Sequence, residues 1–229
     1  MDNRTEQLVG GVWRVEVGYQ VNAYVLANDG RGDREGLTVV DTGWRGSGPR
    51  LVRSVRMLGL DPRAIGDVLL THCHADHAGS AARFAASSAR SQVWVGAADL
   101  GTIRGTSPQP TAATRVAARL GGGLAPVPDA RPLVGGDERD AGGVRVIATP
   151  GHTPGHCAFL LSGSGVLLVG DAVANILALV TPPRVLNADT TAVRGSIATL
   201  AGLDFDTLAM GHGPPLTKRA RERLAKRAG

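Results

Sequence analysis

The chain has 229 residues, 43% hydrophobic, 20% charged and 3% aromatic, which suits one soluble globular domain over residues 1–229 with an aliphatic core. A net charge of +5 raises nucleic acid as a partner, but the arginines are scattered and aromatics are too few for a stacking platform. Two cysteines exclude a disulfide framework, and the longest apolar stretch, Ala172 to Val180, is far too short for a membrane span.

The first third reads as strands. Val12–Val17, Val21–Ala27 and Leu37–Asp41 are apolar or β-branched runs separated by Gly18 and by the turn cluster Asn28–Gly36. A helix is expected after Pro49, where Leu51, Val55 and Leu58 recur at helical spacing. Asp67–Thr71 returns to strand, a small-residue helix follows through Ala86, and Gln92–Val95 is another strand. The segment Gly96–Gly143 is rich in Gly, Pro and Ala and reads as irregular, with one helix near Thr111–Leu120. It is either a substrate-facing insertion or a surface excursion.

The second half repeats the theme. Val144–Thr149, Cys157–Leu161, Val166–Val169 and Thr207–Met210 are expected strands. Helices are expected from Asp189 or Thr190 through Leu200, and over Pro214–Arg227. Strands then helix, twice over, predicts two packed sheets with helices outside. The basic run from Lys218 to Arg227 reads as a solvated helix face. No apolar signal-peptide run occurs at the N-terminus, so a cytoplasmic setting is expected.

The histidines carry the chemistry. There are six, and all crowd predicted strand ends: three within His72–His77, then His152, His156 and His212. His72 and His74 stand two apart on extended backbone, so both rings can face one way. Asp76 and His77 follow after the chain has turned and aim at a neighbouring point. Two imidazoles beside a carboxylate–imidazole pair suit two adjacent ions, and imidazole with carboxylate fits zinc, iron or manganese. Pro-Gly turns fix His152 at its strand end. Asp171 ends an apolar strand and is placed to bridge. His212 stands between glycines that let its ring reach inward. His156 begins the next strand and is assigned a supporting role, while Cys73, between two ligands, reads as a small buried side chain.

The set His72-x-His74-x-Asp76-His77, His152, Asp171 and His212 resembles the metallo-β-lactamase superfamily, and Asp41 in Val39-Val40-Asp41-Thr42-Gly43 resembles that family's supporting aspartate. The likeness runs from about Gly10 to Pro215. It implies an α/β fold, an αββα sandwich of two mixed β-sheets with outer helices. It also implies two divalent metal ions, zinc foremost with iron or manganese as alternatives. One ion would take His72, His74 and His152, the other Asp76, His77 and His212, with Asp171 bridging. A metal-bound hydroxide would be the nucleophile, since zinc lowers the pKa of water from ~15.7 to roughly 7. Asp76 could orient that nucleophile or protonate the leaving group, so Asp76 and Asp171 are the candidate catalytic residues.

Departures from the family's branches narrow the substrate. Zinc β-lactamases usually lack an aspartate at the Asp171 position. Glyoxalase II enzymes carry a C-terminal helical extension, whereas one helix is expected here after His212. Quorum-quenching lactonases use a tyrosine near the site, and only Tyr19 and Tyr24 occur here. Two classes stay open. One is hydrolysis of a small-molecule ester, thioester or lactone. The other is persulfide oxidation at one iron held by His72, His152 and Asp171. The persulfide dioxygenases share a Thr-His-Cys-His-Ala-Asp-His stretch, but Asn175-Ile176-Leu177-Ala178-Leu179 replaces their Gly-Arg-Thr-Asp-Phe. The sequence leaves the exact substrate and the oligomeric state open.

Overall fold

The computed structural model describes residues 5–27, 36–87, 91–139 and 143–228. Two mixed sheets form its frame. The first has seven strands in sequence order: β1 (Thr5–Val9), β2 (Val12–Gly18), β3 (Val21–Ala27), β4 (Leu37–Val40), β5 (Ile65–Leu70), β6 (Gln92–Gly96) and β7 (Arg131–Leu133). Pairing is antiparallel from β1 to β4 and parallel from β4 to β7. The second sheet contains β8 (Glu138–Arg139), β9 (Val144–Ala148), β10 (Cys157–Leu161), β11 (Val166–Leu168) and β14 (Thr207–Ala209), ordered β14-β11-β10-β9-β8. Only its β11–β14 pair is parallel. A separate ribbon pairs β12 (Ala174–Ile176) with β13 (Ala178–Val180).

Alternation along the strands divides the core into layers. In β2 and β3, Val15, Val17, Val21, Ala23 and Val25 pack outward with Leu51 and Val55 of α1 (Gly48–Met57) and Phe84 of α3 (Ala81–Ala85). In the second sheet, Leu160, Leu167 and Leu208 pack outward with Ile197 of α6 (Thr190–Ala201) and Leu224 of α7 (Ala220–Ala228). The intervening residues, Tyr24, Leu26, Val40 and Leu69 from one sheet and Val146, Phe159 and Leu168 from the other, form the layer between the sheets. Both faces of β3 and β10 are therefore buried, which is why β10 is apolar throughout and β3 is apolar but for Asn22, whose side-chain amide donates to the Met210 and Gly213 carbonyls. The result is the αββα sandwich that the sequence led us to expect.

Several elements differ from the sequence reading. The helix expected at Pro214–Arg227 begins only at Ala220, because Leu216 first pairs with Leu208 and is buried there. Arg219, at φ 52°, then turns the chain. The small-residue helix after His74 is two short pieces, α2 (Ala75–Ala78) and α3. Strand β1 had no apolar alternation to reveal it; it lies at the sheet edge and is mostly exposed. The Gly96–Gly143 segment contains α4 (Leu100–Arg104), α5 (Ala112–Leu120), β7 and β8 as well as loops. Residues 28–35 of the expected turn cluster lie outside the described residues. Among the described residues no helix is long and apolar enough to cross a membrane.

At the end of β6 the chain passes so close to the 151–156 loop that a Cβ on Gly96 would overlap the Gly155 carbonyl. Gly195, on the exposed face of α6, meets nothing within 4 Å. Gly96→Ala is expected to cost about 1–3 kcal/mol through overpacking against backbone. Gly195→Ala should gain roughly 0.5–1 kcal/mol from helix propensity. Urea unfolding of the two variants measures both signs.

Candidate metal centre

The site lies where strands of both sheets end. His72 and His74 follow β5, Asp171 follows β11 and His212 follows β14. His152 stands in the loop between β9 and β10, while Asp76 and His77 sit on α2. All seven residues come together. The donor atoms of His72, His74 and His152 lie within 4.8 Å of one another, as do those of His72, His77 and Asp171, and those of Asp76, His77 and His212. Asp171 lies between the sets: Oδ1 is 3.4 Å from His77 Nε2, and Oδ2 is 3.2 Å from His212 Nε2 and 3.5 Å from His152 Nε2. Gly211 permits this approach, since a Cβ there would run into Asp171 Oδ1 and His77 Cε1.

Hydrogen bonds behind the rings aim them. His77 Nδ1 donates to Asp41 Oδ2 at 2.8 Å. The Thr71 hydroxyl also donates to Asp41 Oδ2, at 2.8 Å, so it accepts from His72 Nδ1 at 2.9 Å. His152 Nδ1 donates to Asn187 Oδ1 at 2.8 Å. In His72 and His152 Nε2 is then left as a lone pair facing the centre, and in His77 Nε2 is the ring atom turned toward Asp171. His156 is different. Its Nε2 accepts the Asp171 backbone N–H at 3.1 Å and its Nδ1 donates to Thr149 Oγ1 at 2.7 Å, so both ring nitrogens are engaged in holding the loop that carries Asp171.

Among the described residues, four buried side-chain atoms at the centre have no hydrogen-bond partner: Nε2 of His72, His74 and His152, and Oδ1 of Asp171. Unpaired buried polar atoms are rare because each costs its desolvation energy. Three imidazole lone pairs and a carboxylate oxygen converging in this way fit a metal cation.

The two halves differ electrically. Burial, helped by the neighbouring imidazoles, holds His72 well below the ordinary histidine value and pushes His74 down to about 3, so their lone pairs are free. Burial acts in the same direction on His77 and His212. There the carboxylates outweigh it: Asp171, Asp76 and Asp41 raise His77 well above its ordinary value, and Asp171 and Asp76 raise His212 to about 10. Burial would raise Asp171 and Asp76, but His212 and His77 outweigh it and keep both ionised. This half demands positive charge. Burial raises both thiols, Cys157 to about 12 and Cys73 well above its ordinary value, so neither is a ready thiolate.

Asp99 was not among the sequence candidates. It follows β6 in the short turn Ala97–Asp99 and is buried. Its Oδ2 accepts from the Cys73 backbone N–H at 3.0 Å and from Thr153 Oγ1 at 2.6 Å, and its Oδ1 accepts from Gly155 N–H at 2.8 Å. One carboxylate thus ties the loop bearing His72 and His74 to the loop bearing His152. Gln109 Nε2 holds the other side of the same turn by donating to the Cys73 carbonyl at 2.7 Å. The signal was an aspartate just past an apolar strand, as at Asp41 and Asp171, but it lay in the segment read as irregular. That segment faces the site: Thr114, Ala117 and Ala118 of α5 line the cavity above the donor atoms.

The sequence pattern of Lactamase_B, the metallo-beta-lactamase superfamily, matches residues 17–212, and the chain belongs to that superfamily. It is 29% identical to the uncharacterized protein YobT of Bacillus subtilis (strain 168) over 157 residues, 67% of this chain and 62% of YobT. It is 42% identical to the probable metallo-hydrolase YflN of the same organism over 83 residues, 31% of either chain. The chain therefore spans about three fifths of the first relative and a third of the second. Among solved structures it resembles the metallo-beta-lactamase family protein TTHA1429 from Thermus thermophilus, with a TM-score of 0.73, 26% identity, and 97% of this chain and 78% of that one covered. It also resembles TTHA1623, solved in a di-iron-bound form, with a TM-score of 0.72, 27% identity, and 92% and 97% covered.

Two outcomes follow from this geometry. Asp99→Ala should lower zinc affinity about 10–100-fold in chelator competition, the usual loss when a support behind the ligands is removed. Leu51→Ala, in the outer core, should lower stability without changing the affinity of the folded protein. Secondly, His77 and His212 carry protons at neutral pH when no ion is bound, because their pKa values are raised. An ion entering their donor set displaces them. Its apparent affinity should therefore rise with pH, by up to about tenfold per unit for each displaced proton, levelling off near the His212 value of about 10. Calorimetric zinc titration near pH ~8, in buffers of different ionisation enthalpy, should register at least about one proton released per chain.

Proposed function

We propose that the chain is a dinuclear metal-dependent hydrolase acting on an ester, thioester or lactone carbonyl. The observation that carries this reading is the convergence of four partnerless buried donor atoms with two three-residue donor sets, His72–His74–His152 and Asp76–His77–His212, between which the Asp171 carboxylate lies. His72, His74 and His152 would hold one ion and Asp76, His77 and His212 the other. The likeness to YflN, a probable metallo-hydrolase, and to TTHA1623, solved in a di-iron-bound form, supports the class and the capacity for two ions. The imidazole and carboxylate donors suit zinc, with iron and manganese as alternatives.

When bound, a pair of divalent ions acidifies water as the nucleophile, polarises the carbonyl and stabilises the charge on the leaving atom. The protein's own groups do the rest. Asp76 lines the cavity, is ionised, and has a side chain 20% exposed against 10% for Asp171. It is placed to take a proton and return it to the leaving oxygen or sulfur. Asp41 and Asn187 keep His77 and His152 in the tautomer whose lone pair faces inward. Among the described residues lining the cavity there is no cysteine, serine or tyrosine; both cysteines are buried elsewhere and Tyr24 commits its hydroxyl to the Met210 carbonyl at 2.6 Å.

Elemental analysis of protein purified without chelator should find close to two ions per chain; a value fixed near one after adding zinc or manganese would sink the dinuclear reading. Asp171→Ala removes the carboxylate between the two sets, so metal and activity on an ester, thioester and lactone panel should fall together. His156→Ala should retain most of its metal, because the ring nitrogens it loses face the Asp171 amide and Thr149. The reverse order of metal content would overturn the ligand assignment.

A further inference from the structure

Five of the donor residues, His74, Asp76, His152, Asp171 and His212, form the floor of a cavity of about 540 Å³, within the ~300–1,000 Å³ usual for small-molecule sites. Its walls are of one kind. Trp44, Ala117, Ile176, Val180, Pro182 and Leu186 line it, and its polar side chains are Thr114, Thr181 and the donor residues on the floor. Among the described residues lining it there is no lysine or arginine, although 25 residues of this chain are basic. A substrate with a carboxylate or phosphate away from its reacting carbonyl would find no lysine or arginine there to pair with it.

The ribbon β12–β13 strengthens this reading. It stands apart from both sheets, and its Ile176 and Val180 turn toward the cavity while remaining 45% and 38% exposed. Leu177, at its tip, is fully exposed and adopts φ 63°, a left-handed conformation that favours glycine or asparagine. These apolar side chains are only partly covered by the protein, so an apolar ligand would bury them further.

Building on the hydrolase reading, we infer that the cavity accepts the uncharged, medium-length aliphatic acyl chain of its substrate, with the scissile carbonyl on the donor residues and the chain against Ile176, Val180 and Leu186. Each methylene taken fully out of water contributes roughly a factor of four to binding. A terminal carboxylate would be desolvated with no partner.

The test uses metal-replete protein and p-nitrophenyl esters. From acetate to octanoate, kcat/KM should rise by at least about thirtyfold. An ester tipped with a carboxylate should fall at least about tenfold below its methyl-tipped counterpart of equal length. Ile176→Asp and Val180→Asp alter half-exposed ribbon positions and should each reduce the octanoate-to-acetate ratio about tenfold. Hydrolysis that is flat or falling with chain length, or indifferent to the terminal carboxylate, overturns the acyl-chain inference and leaves the hydrolase reading standing. Absence of hydrolysis of every ester, thioester and lactone in the panel defeats the hydrolase reading instead. The cavity is then judged on metal-stripped protein by calorimetry: 1-octanol binding at least about tenfold tighter than 1-butanol supports an aliphatic site, and no 1-octanol binding overturns it.

Discussion

Asp41 anchors the arrangement on which the site depends. Its carboxylate accepts three hydrogen bonds, from the Thr71 amide, the Thr71 hydroxyl and the His77 ring. It does so from a buried position at φ 59°, a conformation an aspartate tolerates better than most residues. β4 is thereby tied to the end of β5, and through Thr71 the bond reaches His72. A buried carboxylate is stable only when its lone pairs are satisfied. The requirement that keeps Asp41 paired therefore also fixes two imidazoles from different elements.

Asp99 repeats the device on the other side. It binds the Cys73 amide and the loop around His152, so the turn His72–His74 is held from both strands that flank β5. Hydrogen bonds from several elements thus hold the rings and backbone of the centre at once. The cost of this arrangement is the cluster of unpaired lone pairs and mutually repelling groups that it maintains. A site of this kind exchanges folding stability for affinity, because the energy of four unsatisfied atoms is recovered only on binding.

The sandwich was legible because short apolar runs separated by Gly, Pro and Asn turns leave few other arrangements, as in Val21–Ala27 and Cys157–Leu161. The donor residues were legible for a different reason. Histidine is scarce in this chain, and each cluster stands where an apolar run stops, so strand-end position alone groups residues far apart in sequence. Asp99 escaped because a carboxylate acting on backbone amides has no distinctive spacing. The ribbon β12–β13 escaped because Ala172–Val180 is apolar almost throughout, and periodicity cannot tell a core strand from an exposed hairpin. The late start of α7 reflects tertiary pairing of Leu216 with Leu208, which no local propensity encodes.

The same contrast explains why the chemistry of this protein is easier to read than its substrate. Metal-binding side chains are polar residues in places where polarity is costly, so they stand out in the sequence. Apart from Trp44, the apolar cavity walls are mostly alanine, isoleucine, valine, proline and leucine from α5, from the ribbon and from the segment after it. Those residue types are equally at home in any core, and only their position around the donor residues gives them meaning. The sheets supply the fixed half of the site from their strand ends, and the connecting segments supply the variable half. A chain can therefore keep every ligand of its superfamily and change what it acts on by altering apolar residues in these segments, with no mark in any motif.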